Sequence, residues 1–76
     1  MVRAYVMVDA GASDAASLLD DVLAVAHVVE AHIVAGEYDV IAEVEAEEVS
    51  DVMATVATNV RAVDGVADTR TYVCLE

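Results

Sequence analysis

Apolar and other side chains alternate from the second residue onward: Val2, Ala4, Val6 and Val8 interleave with Arg3, Tyr5, Met7 and Asp9. A period of two marks a strand that buries one face. Gly11 interrupts it. Ser13 is then placed to cap a helix whose apolar positions Ala15, Leu18, Leu19, Val22 and Ala26 return at helical spacing, with Asp14 near its positive end. A β-branched stretch from His27 to Val34 is cut by Ala35-Gly36-Glu37 and resumes from Tyr38 to Glu45, where Val40, Ala42 and Val44 alternate. That predicts a hairpin whose loop of about three residues holds the glycine. A second helix is predicted from Glu47 to Val63 on a stripe of Val49, Val52, Met53, Val56, Val60 and Val63, with acids at its start and Arg61 near its end. Asp64-Gly65 ends it, and Val66 to Leu75 reads as the last strand.

The element order βαββαβ, joined by right-handed crossovers, specifies an α+β fold, the ferredoxin-like sandwich: a four-stranded antiparallel sheet with two helices on one face. No proline, linker or low-complexity tract divides the chain, so residues 1–76 read as one domain. Helices should cover Val2, Ala4, Val6, Val8, Val40, Ala42, Val44, Thr71, Val73 and Leu75. The opposite parity leaves Arg3, Tyr5, Met7, Ile41, His32, Arg70 and Tyr72 on the other face, with Val28, Val34, Glu30, Glu43, Glu45 and Cys74. Tyrosine and arginine are enriched at interfaces. These positions predict face-to-face packing of two sheets in a symmetric dimer, with Arg–Glu pairs fixing register.

Composition strengthens that expectation. Of 76 residues 59% are hydrophobic but only 4% aromatic, so each buried side chain removes little area from water. A domain of this size buries only roughly 60% of its unfolded surface, and a partner surface would supply the rest. Net charge is −12, from 15 acids against three arginines and no lysine. A field of that sign repels phosphate backbones, which excludes direct nucleic-acid binding. Acids spread along the chain, without lysine, are expected of a salt-rich cytoplasm of the halophilic archaeal kind, where screening makes self-repulsion tolerable. The lone Cys74 rules out an internal disulfide, and Met1-Val2-Arg3 leads straight into alternation rather than into a signal peptide, so a cytoplasmic location is expected.

Catalytic constellations are missing. The serines lack a glycine elbow, no phosphate-cradling loop with lysine occurs, and Ala10-Gly11-Ala12 has neither arginine nor CxxC. His27 and His32 are five apart on a strand and face opposite ways. His32 with Glu30 or Glu43 suits an interface histidine bonded to a carboxylate better than a zinc site, and His32 is also the sole titratable candidate for an enzyme on a dimeric barrel. No metal, cofactor or catalytic residue is expected. Recognition remains: Gly36 lets backbone approach a ligand, Asp39 can pair with an ammonium group, and Thr69 and Thr71 present hydroxyls at i, i+2.

The hairpin Ala35-Gly36-Glu37-Tyr38-Asp39, an amphipathic helix and the run Asp64-Gly65-Val66-Ala67-Asp68-Thr69-Arg70-Thr71-Tyr72-Val73 together resemble the effector-sensing (RAM) domain of the Lrp/AsnC family of transcriptional regulators. The resemblance runs from about Val29 to Glu76; the first 28 residues match in pattern only. It implies dimers built through the sheets, assembled into rings of eight or ten, with amino acids bound between dimers. On that analogy Gly36, Tyr38, Asp39, Thr69 and Thr71 line the pocket. It also implies a stand-alone sensing module without the family's helix-turn-helix. Such a module either responds to an amino acid or joins a full-length DNA-binding regulator as a ligand-independent partner.

Overall fold

The alternating run becomes β1 (Val2–Asp9), with Ala4, Val6 and Val8 buried and Arg3 and Tyr5 exposed. The computed structural model describes residues 1–75. After β1 come α1 (Ala15–Leu23), β2 (Val28–Ile33), β3 (Val40–Ala46), α2 (Val49–Ala54) with a π-helical continuation (Thr55–Val60), and β4 (Asp68–Val73). The four strands form one antiparallel sheet in the order β2-β3-β1-β4, with both helices on one face. This is the ferredoxin-like sandwich. α1 packs chiefly on β2, and α2 on β3 and β1. The core between the layers is fine-grained, led by Val6, Val8, Leu18, Val22, Val40, Val44, Val52 and Val60.

Local chemistry moves several boundaries. Asp14, not Ser13, caps α1: its backbone is extended and its carboxylate accepts the Ala16 N–H at 3.0 Å. The Ser13 N–H instead donates to the Ala10 carbonyl at 2.8 Å, closing the turn before the helix. The helix stops at Leu23, so Ala26 lies beyond it. The hairpin loop is longer than the sequence suggested. Its closing bond is Val34 N–H to the Asp39 carbonyl at 2.8 Å, while Asp39 donates its own N–H to the Val8 carbonyl at 2.9 Å.

The register places Val28 opposite Val44, on the helix side, and Glu30 opposite Glu43, on the open side. Val28 therefore belongs to the covered face, contrary to expectation. The cause is a bulge between Val28 and Glu30, which inserts one unpaired residue and resets side-chain alternation. His27, at φ 74°, turns the chain into this strand and accepts the Glu45 N–H at 2.9 Å. Leu75, expected under the helices, lies past the end of β4 and is 98% exposed.

The second helix departs furthest from expectation. Val52, Val56 and Val60 are buried together with Thr55, which is 3% exposed, whereas Val49 and Met53 are half exposed. A four-residue repeat exceeds the 3.6-residue turn of an α-helix and would drift around it. Widening to i→i+5 bonds, as in Arg61 N–H to the Val56 carbonyl at 3.1 Å, holds those valines on the sheet.

Candidate functional site

The end of the sheet where β1 finishes gathers the residues singled out for recognition. Asp39 reaches across from the start of β3, its Oδ2 accepting the Ala10 N–H at 2.8 Å. Asp9 turns its Oδ1 onto the Gly11 N–H at 2.8 Å, and its carbonyl accepts the Ala67 N–H at 2.8 Å. On the other flank of β1, Thr69 stands opposite Val8 and Thr71 opposite Val6. Asp39 and Thr69 thus bracket the same stretch of β1, while Thr71 sits one step further along.

The threonines lie on the helix side of β4 and are half-buried; Arg70 and Tyr72 lie on the open side. Arg61, at the end of the π-helical segment, donates to the Thr69 hydroxyl at 3.5 Å. Tyr38, the residue before Asp39, is half-buried. The Tyr72 hydroxyl first, then Tyr38 and last Asp68 hold the Arg70 guanidinium above its ordinary pKa. Gly36 is exposed, with open space where a Cβ would project. None of Gly36, Tyr38, Asp39, Thr69 and Thr71 lines the surface hollows of about 720 and 310 Å³. The larger hollow is at the opposite end of the sheet, beside Met1, Arg3, Tyr5, Glu45, Val49 and Leu75.

The seven residues expected on the open face are all there. Tyr5 is paired to Glu43 on one side and Tyr72 on the other; Met7 lies between Ile41 and Arg70, His32 opposite Ile41, and Arg3 opposite Glu45. Arg3 meets Glu43 at 3.4 Å and Glu45 at 3.2 Å, and these carboxylates, Glu43 first, raise its pKa. His32 Nε2 lies 3.3 Å from Glu30. Exposed pairs of this kind contribute little stability but fix side-chain position.

Sequence reasoning missed three features: the Asp39–Ala10 staple, the phenol-flanked Arg70 and the π-helical segment. The last had a signal, the four-residue spacing of Val52, Val56 and Val60. Among the described residues, no group of three or more His, Cys, Asp or Glu is placed to hold a metal ion, and no helix is long and apolar enough to cross a membrane.

A family model described as "Lrp/AsnC ligand binding domain" matches residues 3–76. No curated protein matches the chain. The structure of TTHA0845 from Thermus thermophilus superposes with a TM-score of 0.92 at 24% identity, covering 100% of this chain and 95% of that one. The hypothetical protein PHS023 from Pyrococcus horikoshii gives 0.88 at 28% identity, covering 100% and 92%. The transcriptional regulator NMB0573 from Neisseria meningitidis, solved as its L-Met complex, gives 0.83 at 17% identity; the match covers 99% of this chain and 50% of the regulator.

Proposed function

The chain belongs to the Lrp/AsnC ligand-binding domain family, and from that premise we propose that it is an amino-acid-responsive oligomerisation module of transcriptional regulation. The family consists of regulator ligand-binding domains, not of enzymes. The carrying observation is that the Gly36–Asp39 hairpin and the Thr69–Thr71 strand flank the same end of β1, under a match that spans residues 3–76. In this reading Gly36, Tyr38, Asp39, Thr69 and Thr71 contact the effector where dimers adjoin, and the open sheet face is covered by a second copy. Dimers assemble further into a ring, and the module does not itself touch DNA, since a net charge of −12 repels the backbone. The L-Met complex of the Neisseria regulator supports an amino acid as the effector class. An effector that bridges dimers shifts assembly by its differential affinity for the two states.

Isothermal calorimetry of the chain against the amino acids in molar KCl, beside sedimentation with and without the responding one, tests this. Binding that enlarges the assembly is expected; silence from every amino acid removes the sensing role. A second reading rests on the absence of the five residues from both hollows: a ligand-independent subunit that mixes into a full-length DNA-binding regulator. Capture of such a regulator by the tagged chain, unaffected by amino acids, selects it.

A further inference from the structure

The smaller hollow, of about 310 Å³, lies in the helix layer, and neither the hairpin nor β4 lines it. One wall is α2 with its π-helical continuation; the other is the turn that carries α1 into β2. Asp51, Ala54, Thr55, Thr58 and Asn59 return at i, i+3, i+4, i+7 and i+8, the spacing that keeps side chains on one helix face. Apart from Ala54 the stripe is polar, and it runs beside the valines that pack on the sheet. His27 stands on the opposite wall.

Thr55 is the informative member. Among the described residues it is the one polar side chain that is buried, at 3% exposure. Its hydroxyl joins none of the side-chain hydrogen bonds among those residues. None of their sealed side-chain oxygens lacks a partner, so the Thr55 hydroxyl opens onto the hollow, where an entering molecule meets it. A buried hydroxyl without a fixed partner costs stability, and valine would fill the same shape without that cost. Two backbone departures converge on the same place: His27 at φ 74°, and the π-helical turn that begins at Thr55. Departures of this kind concentrate at functional sites.

The lining also specifies the chemistry of an occupant. It offers acceptors from Asp51, donors and an acceptor from Asn59, and both from the Thr55 and Thr58 hydroxyls and the His27 imidazole. No lysine or arginine lines it, and Asp51 in a chain of net charge −12 repels anions. A phosphate or carboxylate thus finds no counter-charge. No aromatic ring is there to stack a base, and among the described residues no group of three or more metal-ligating side chains occurs. Neutral hydroxyls, which donate and accept alike, match what is left. A water takes about 30 Å³ of the liquid, so the hollow holds about ten non-hydrogen atoms, the size of a pentose.

We propose that this hollow binds a small neutral polyol of pentose size, with Asp51 accepting from two adjacent hydroxyls and Thr55 meeting the innermost one. It is separate from the site of the hairpin and β4, so the two are occupied independently.

Amide NMR titration of the full chain with ribose tests this, with methylammonium chloride as the charged alternative. Ribose should move the amides of residues 26–27 and 51–59 and saturate with a dissociation constant of about 1–10 mM. Thr55→Val, which keeps the shape, should weaken binding about fivefold and Asp51→Asn about tenfold, circular dichroism confirming that both variants fold. Neither should change a response to amino acids, since neither residue belongs to that site. Shifts that never saturate, or that spread over the whole surface, would overturn the site. Saturation that both variants leave unchanged would place the sugar elsewhere and overturn it equally. Tighter binding of methylammonium than of ribose at these residues would overturn the polyol in favour of an amine.

Discussion

At Asp39 one carboxylate oxygen already accepts the Ala10 N–H at 2.8 Å, so truncating the side chain removes a strand-end hydrogen bond together with a charge. Asp39→Ala should cost about 1–2 kcal/mol in urea unfolding. Asp39→Asn keeps an oxygen in place for Ala10 and should stay near wild-type stability while losing affinity for an ammonium-bearing effector, read by calorimetry. Two of the glycines contrast as sharply. A Cβ on Gly65, at φ 97°, would meet Ser13 Oγ at 2.8 Å, whereas one on Gly36 meets nothing. Gly65→Ala should therefore destabilise by about 1–3 kcal/mol in thermal unfolding, and Gly36→Ala by no more than about 0.5 kcal/mol. Arg3 and Arg70 both have raised pKa values. A raised basic group contributes fully below its unfolded value and is lost only as pH climbs through the folded one, so these two arginines give stability no slope near neutral pH.

Among the elements, the strands were the most legible, because period-two alternation is local and the sheet honours it. Val6 and Val8 against Tyr5 and Met7 foretold β1, its two faces and the face opposite the helices. Two departures came from interactions between elements. The bulge that turns Val28 inward depends on how β2 meets β3, and the π-helical segment on how Val52, Val56 and Val60 meet the sheet. The capping role of Asp14 over Ser13 was a contest between adjacent candidates. Of the recognition residues the sequence placed Thr71 on the covered parity, and of the residues expected at the interface it placed Arg70 and Tyr72 on the open one. It could not show that Asp39 is tied to Ala10 or that Tyr38 neighbours Arg70, since the partners are far apart in the chain. Neighbouring positions in α2 separate packing from surface: Val52→Ala should cost about 2 kcal/mol in chemical denaturation, and Met53→Ala, at a half-exposed site, under about 0.5 kcal/mol.

For the molecule as a whole, the accessible surface of 4513 Å² is close to the roughly 4,450 Å² expected of a folded monomer of 8.0 kDa. The case for a partner thus rests on what the surface carries, not on its extent. Self-repulsion at −12 weakens the fold in dilute buffer. Raising KCl from about 0.1 M to 1 M shortens the screening length from about 10 to 3 Å, so the thermal midpoint should climb steeply with salt; a flat response would speak against adaptation to brine. The bulge in β2 has a further consequence at this scale. β2 borders the sheet and exposes Val29 and Ile33 in a chain rich in valine and alanine, the makings of runaway stacking into fibrils. An intruding strand would find its ladder broken after Val28 and could dock along only part of that border. The same kink that turns Glu30 and His32 outward thereby keeps a crowded solution of these molecules from zipping together edge to edge.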